Sequence, residues 1–84
     1  MTVLTLYSRP GCHLCDEMKA MIRRVVGADA RIRLDEVDIS SNAELETRYG
    51  LEIPVLAIDG RKAAKFRLEE SDLRRLLARR MAEG

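Results

Sequence analysis

Both cysteines of this chain lie within one four-residue stretch, from Cys12 to Cys15. A bridge that short cannot join distant parts of the chain, so an apolar sheet and its helices must hold the fold together. A chain of 84 residues has room for one core, and we expect a single domain over residues 1–84. The cysteine pair is therefore left for chemistry and not for stabilisation of the fold.

The hydrophobic pattern places the pair at the start of the first helix. A β-favouring apolar run predicts a strand over residues 2–7, which stops at a turn over residues 8–11. The apolar residues that then recur at helical spacing are Leu14, Met18, Met21, Ile22 and Val25. They predict a helix over residues 12–26 that ends before Gly27.

The following segment repeats this alternation of strand and helix. Apolar residues predict a second strand over residues 32–39. Residues 41–44 then fit a capping box that begins at Ser41, and they predict a short helix that closes at Gly50.

The last third of the chain indicates a hairpin and a helix. Residues 54–58 and 62–66 predict two antiparallel strands joined by the Asp59-Gly60 turn. A final helix is predicted over residues 68–81, with acidic residues near its start and arginines near its end. The order β-α-β-α-β-β-α predicts an α/β fold with a four-stranded mixed sheet flanked by helices, the minimal thioredoxin layout.

Charge and composition exclude several classes of function. Fifteen Lys and Arg nearly cancel fourteen Asp and Glu, and the chain has two Tyr, one Phe and no Trp. Nucleic-acid binding generally uses a strong basic field and stacking rings, so we expect no nucleic-acid partner. The longest apolar run, residues 53–58, is far shorter than a membrane span, and residues 1–7 carry no signal-peptide features. We expect a soluble, cytoplasmic monomer.

In a reducing compartment, a close cysteine pair indicates redox chemistry or metal binding. Cys12 is expected at the helix N-terminus, where free backbone N–H groups and the helix dipole stabilise a thiolate and lower the pKa of the thiol. Cys15 lies one turn deeper, where less of the positive helix end reaches it. The spacing predicts that Cys12 attacks a substrate disulfide and that Cys15 resolves the mixed disulfide.

Other interpretations of these residues remain open. The cysteines are also compatible with two small buried apolar side chains that happen to lie three apart. A zinc site would need further ligands, because the chain has two Cys and one His, and we expect no metal. Arg9 and His13 flank Cys12. His13, which faces solvent or substrate, is expected either to lower the pKa of Cys12 further and make the oxidised form easier to reduce, or to be an exposed residue of little effect. Arg9 is expected to favour the thiolate or attract an anionic substrate, or else to be a solvated loop charge.

These motifs resemble those of the glutaredoxins, and most closely those of the small glutaredoxin-like proteins. Residues 6–15 are similar to the glutaredoxin opening, a strand followed by a basic residue, Pro, one residue and Cys-x-x-Cys, and Ile53-Pro54 is similar to the family's Ile-Pro segment. The resemblance, which covers nearly the whole chain, implies a dithiol-disulfide oxidoreductase acting through Cys12 and Cys15. It also implies a cis bond before Pro54 and an Ile53 backbone that pairs with a bound peptide or glutathione.

Three departures from the family pattern bear on the substrate and the electron donor. His13-Leu14 fills the middle of the motif where glutaredoxins usually have Pro-Tyr. Residues 66–70 replace the Gly-Gly pair that holds glutathione, and their two carboxylates would repel the carboxylates of that ligand. The Trp-Ser-Gly-Phe-Arg-Pro segment of proteins that draw electrons from thioredoxin reductase is also missing. The expected donor is glutathione or a thioredoxin reductase, the substrate is a protein or small-molecule disulfide, and no cofactor is required.

Two functions other than disulfide reduction are also considered. Some glutaredoxins share an iron-sulfur cluster between two subunits with glutathione as a ligand, and Cys12 would be the cluster ligand here. The missing Gly-Gly segment argues against this alternative. A redox-regulated interaction module without turnover has the same sequence features as the oxidoreductase, so the sequence does not separate the two.

Overall fold

A computed structural model describes residues 1–83 of the chain. Its strands and helices are β1 (Thr2–Ser8), α1 (His13–Val26), β2 (Ile32–Asp38), α2 (Ala43–Tyr49), β3 (Val55–Ile58), β4 (Arg61–Lys65) and α3 (Glu70–Glu83). The strands form one sheet in the order β2-β1-β3-β4. The predicted element order and the four-stranded mixed sheet are confirmed. Among residues 1–83, no helix combines the length and the apolar character that a membrane span requires.

The register of the sheet sets which segments meet at each end. β1 pairs in parallel with β2, from Thr2 beside Ile32 to Ser8 beside Asp38, and α1 is the crossover that a parallel pair requires. β3 pairs antiparallel with both β1 and β4. All four residues of β3 are buried, as expected for an apolar run inside a sheet that is covered on both faces.

The two faces of β1 contact different helices. Leu4 and Leu6 point into a buried cluster that includes residues of α1 and α3. Tyr7 points the opposite way, because side chains alternate along a strand, and its ring stacks on Tyr49 at the end of α2 with centroids 4.5 Å apart. Helices α1 and α3 therefore cover one face of the sheet, and α2 covers the other.

The hairpin between β3 and β4 forms through the predicted turn. Asp59 and Gly60 have φ angles of 49° and 84°, the left-handed conformation that a two-residue hairpin loop requires. β4 begins at Arg61 and contains a register shift opposite Leu56 and Ala57. The strand ends at Lys65, one residue before the predicted end.

Several predicted boundaries are wrong by one or two residues. The N-cap of α2 is Asn42 and not Ser41, because the Asn42 side-chain oxygen accepts the N–H groups of Glu44 at 2.9 Å and Leu45 at 3.1 Å. The Ser41 hydroxyl donates instead to the Asp38 carbonyl.

The ends of β2 and the start of α3 also differ from the predictions. Ile39 leaves the strand and opens a short 3-10 turn over Ile39–Ser41, which the Asp38 carboxylate caps by accepting the Ser40 N–H at 2.9 Å. Leu68 lies before α3, where it packs against the core from the segment that precedes the helix, and the apolar spacing alone could not separate these two arrangements.

Candidate active site

The cysteine turn joins the end of β1 to the start of α1. Gly11 has a φ of 81°, and the Cys12 N–H donates to the Arg9 carbonyl at 3.3 Å, so the chain reverses within four residues. Cys12 is extended, and its carbonyl accepts the Asp16 N–H at 3.1 Å as the first bond of the helix. Cys12 is therefore the N-cap of α1, which confirms its predicted place at the helix start.

The Cys12 sulfur occupies the position of a capping oxygen. It accepts the Cys15 backbone N–H at 3.1 Å, and it forms a disulfide with Cys15, whose Cα atom lies 5.2 Å away. Cys15 is 1% exposed, whereas Cys12 is only half-buried. An incoming group can therefore reach the Cys12 sulfur more readily, and the helix N-terminus would stabilise negative charge there once the disulfide opens.

The Ile53–Pro54 peptide bond is cis, as the family resemblance implied. Val55 pairs with Tyr7 near the end of β1, so Pro54 lies at the end of the sheet from which the cysteine turn departs. The Pro54 carbonyl accepts the Phe66 N–H at 2.8 Å, and the Ile53 N–H donates to the Tyr49 carbonyl at 3.1 Å. The Ile53 N–H is thus engaged within the protein, and a bound strand would have to compete for it.

The two predicted cationic neighbours of Cys12 differ in their contacts. His13 is the first residue of α1 and its side chain is exposed. The Arg9 guanidinium forms an ion pair with Glu46 of α2. The pKa of Asp38 is lowered, mainly by hydrogen bonds from Ser40 and also by the nearby charge of Arg9. Arg9 thus lies among carboxylates that offset its charge, whereas His13 faces solvent beside the disulfide.

Comparison with known proteins identifies the family of the chain. Residues 3–78 match the family described as Glutaredoxin-like domain (DUF836). This chain belongs to that glutaredoxin-like family. Among its relatives, the glutaredoxin-like protein YDR286C homolog of Dictyostelium discoideum is 31% identical, in an alignment that covers 83% of this chain and 69% of that protein.

Solved structures agree with the fold of this glutaredoxin-like protein. The X-ray structure of protein XcR50 from X. campestris is 34% identical with a TM-score of 0.75, over 89% of this chain and 95% of that one. Protein Ne2328 from Nitrosomonas europaea is 28% identical with a TM-score of 0.73, over 89% of both chains. A thioredoxin from Halobacterium salinarum, 20% identical with a TM-score of 0.64 over 89% of this chain and 70% of its own, shows the shared thioredoxin fold.

Sequence reasoning missed the position of Phe66 in this glutaredoxin-like protein. The sequence pattern predicts this residue at the end of a strand, but it lies beyond β4, is 44% exposed and its N–H donates to the Pro54 carbonyl. Its φ of 66° is unusual for a bulky residue and has no signal in the sequence. Within residues 1–83, no group of three or more His, Cys, Asp or Glu side chains could hold a metal ion.

Proposed function

We propose that this protein is a dithiol-disulfide oxidoreductase that reduces protein or low-molecular-weight disulfides through Cys12 and Cys15. The observation that carries the proposal is the Cys12 sulfur at the N-terminus of α1, where it accepts a backbone N–H and is bonded to Cys15. Backbone donors and the helix dipole favour a thiolate at that position once the disulfide is reduced. Membership of the glutaredoxin-like family supports the same chemistry.

The reaction that fits this geometry is a two-step exchange. The Cys12 thiolate attacks one sulfur of the substrate disulfide, forms a mixed disulfide, and releases the other sulfur as a thiolate that takes up a proton. Deprotonated Cys15 then attacks the Cys12 sulfur, forms the Cys12–Cys15 disulfide, and releases the second substrate thiol. Two electrons and two protons pass to the substrate, and the protein is left oxidised.

The surroundings suggest a role for each neighbouring residue. We assign to His13, whose side chain is exposed, the role of favouring the thiolate and contacting an anionic substrate. Arg9 contributes less charge, because Glu46 pairs with it, and we assign it mainly to holding the turn through its carbonyl. The Ile53 carbonyl and Pro54 are proposed to shape the groove in which a substrate strand lies.

The resetting step needs an external reductant, either glutathione or a thioredoxin reductase, and we propose no resident cofactor and a cytoplasmic setting. The structure modifies one argument against glutathione. Glu70 is compensated by Arg24 at 3.0 Å and by Arg74 at 3.0 Å, so its charge repels an anionic ligand less than the sequence indicated. The exposed Glu69 still opposes such a ligand.

The test is a single-turnover reaction of the reduced protein with a small disulfide, analysed by intact-protein mass spectrometry. We expect Cys15→Ser to accumulate a mixed disulfide at Cys12 and Cys12→Ser to be inactive, because the buried Cys15 sulfur is inaccessible. Activity that survives in Cys12→Ser but disappears in Cys15→Ser would reverse the assigned roles. Reduction of the oxidised protein by glutathione with its reductase, compared with thioredoxin reductase, then identifies the electron donor.

A further inference from the structure

A cleft opens beside the cysteine turn, between the first turns of α1 and the segment that follows β4. Its volume is about 140 Å³. Its apolar lining consists of Leu14, Met18, Met21, Phe66 and Leu68. Leu14 lies between the two cysteines in the chain, and the backbone N–H of Phe66 bonds to the Pro54 carbonyl. The cleft is therefore linked to the cysteine turn through Leu14 and to Pro54 through Phe66.

The backbone conformation of Phe66 is energetically unfavourable, and contacts with neighbouring residues hold it in place. A φ of 66° is a genuine outlier for a bulky side chain, since its Cβ crowds the following carbonyl. The bond to Pro54 at 2.8 Å holds the backbone, and the Lys65 ammonium lies 5.5 Å from the ring centroid. The ring nevertheless remains 44% exposed. Strained residues of this kind concentrate at ligand-binding sites, which makes the exposed ring a candidate contact for a ligand.

The size and chemistry of the cleft suit one apolar side chain. An apolar cavity of about 150 Å³ accommodates benzene, so a cleft of about 140 Å³ has room for the side chain of a phenylalanine or a leucine. The floor is formed by Met18 and Met21, which are 4% and 8% exposed. Methionine side chains are flexible and polarisable, so this floor can adapt to apolar groups of different shapes.

The charged residues that line the cleft determine which ligands are electrostatically favoured around that side chain. The remaining lining residues are charged: Glu17, Arg67 and Glu69. The cleft therefore carries two carboxylates and one guanidinium. Glutathione carries two carboxylates and one ammonium group, so its net charge has the same sign as that of the cleft. A neutral or basic peptide segment is electrostatically favoured over glutathione.

We propose that this cleft selects protein substrates by receiving one apolar side chain, of phenylalanine or leucine size, from a neutral or basic segment that flanks the substrate disulfide. The proposal rests on the proposed oxidoreductase function, because Leu14 links the cleft to the cysteine pair and Phe66 links it to Pro54. Phe66 and Leu14 form the walls that contact the side chain, and Met18 and Met21 form the floor.

The test uses the reduced protein in single-turnover reactions, which need no electron donor. The substrates are disulfide-linked peptides made in pairs. The two peptides of a pair differ only in the residue next to the cysteine, which is Phe in one and Gly in the other. One pair carries this residue before the cysteine, and a second pair carries it after the cysteine. We expect wild-type protein to react about tenfold faster with a Phe peptide than with its Gly partner. The Phe66→Gly variant should bring the two rate constants within about twofold, since glycine adopts the required φ without strain and removes the ring.

The matched control is Leu51→Ala, which removes a side chain that is 95% exposed and lies outside the cleft. It should keep the tenfold preference. A second measurement separates binding from turnover: the Phe peptide with its cysteine S-methylated is titrated into the oxidised protein, and amide chemical shifts are followed. We expect the largest shifts at Leu14, Phe66 and Leu68.

Each outcome decides a specific point. Equal rates for the paired peptides, or loss of the preference in Leu51→Ala as well, would overturn the cleft assignment while leaving the oxidoreductase proposal intact. Shifts at the cleft without reduction of either peptide would show that the cleft binds the apolar side chain, but would overturn the oxidoreductase proposal and with it the role of the cleft in selecting substrates. A dimer that depends on Phe66 in analytical ultracentrifugation would assign the cleft to a second copy of the chain and overturn the inference.

Discussion

At the scale of single residues, one carboxylate connects three elements. Asp59 accepts the Val3 N–H on one oxygen at 2.8 Å and the Arg80 Nε–H on the other at 2.7 Å. Its own N–H donates to the Val3 carbonyl at 2.8 Å. The Val3 and Arg80 hydrogen bonds hold the pKa of the Asp59 carboxyl below its usual range. The residue therefore joins the hairpin to β1 and α3 in addition to forming the turn.

We expect Asp59→Asn to lower the urea midpoint at pH 7, because the amide cannot pair with Arg80. A carboxyl whose pKa is depressed in the folded state contributes stability above its ordinary pKa and loses that contribution as the pH falls through the folded value. The difference in urea midpoint between the wild type and the variant should thus become smaller below about pH 4. Asp35→Asn is the control, because its carboxylate pairs locally with Arg33. An Asp59→Asn difference that is unchanged at pH 2 would contradict the assignment.

At the scale of elements, α2 depends on its surroundings. It has seven residues, too few to be stable alone in water. The Asn42 side chain caps two of its N–H groups, Glu46 pairs with Arg9, and Tyr49 stacks on Tyr7. These contacts hold the C-terminal end of α2 next to the segment that precedes the cis proline, since the Tyr49 carbonyl accepts the Ile53 N–H. A short helix thereby positions the proposed substrate groove.

Asn42→Ala is expected to lower the free energy of unfolding by about 1 kcal/mol, because two helix N–H groups lose their acceptor. Asn42→Asp should retain most of that stability, since its carboxylate can accept the same bonds. Ser41→Ala is the matched control and should change the free energy by less than about 0.5 kcal/mol. Urea unfolding measures all three. A larger loss for Ser41→Ala than for Asn42→Ala would restore the capping box that the sequence predicted.

At the scale of the whole molecule, α3 closes the core. Leu73 and Leu77 are 0% and 6% exposed and belong to the same buried cluster as Leu4, Leu6 and Ile22 of β1 and α1. Arg24 of α1 also reaches Glu70 at the start of α3. The cluster joins the two helices on one face of the sheet and holds α1, and with it the cysteine turn, against β1.

Two identical substitutions test this arrangement. Leu73→Ala should lower the free energy of unfolding by about 2–5 kcal/mol, because it opens a cavity at a fully buried position. Leu51→Ala, at a position 95% exposed, should change it by less than about 0.5 kcal/mol. Urea unfolding with an unchanged slope provides the measurement. A comparable decrease in the free energy of unfolding for both variants would contradict the difference in burial between Leu73 and Leu51.

Local patterns were sufficient to predict the element order, the hairpin turn and Cys12 at a helix start. The apolar spacings, the Asp59-Gly60 pair and the breaks around each element act between near neighbours in the chain, so the sequence carries them directly. The boundaries at Ile39, Ser41 and Leu68 were less accurate. At each of these points, two local structures fit the same residue types, and contacts with the rest of the protein decided between them.

The sequence by itself determined the fold class and the cysteine pair with its place in the chain. The tertiary structure decided what surrounds that pair: Arg9 bound to Glu46, the Pro54 carbonyl bonded to Phe66, and an apolar cleft beside Leu14. These contacts join residues from about 12 to more than 50 positions apart, and they exist only once sheet pairing brings the ends of β1, β3 and β4 together. The chemistry of the site is thus local, whereas its proposed selectivity is a property of the assembled sheet and helices.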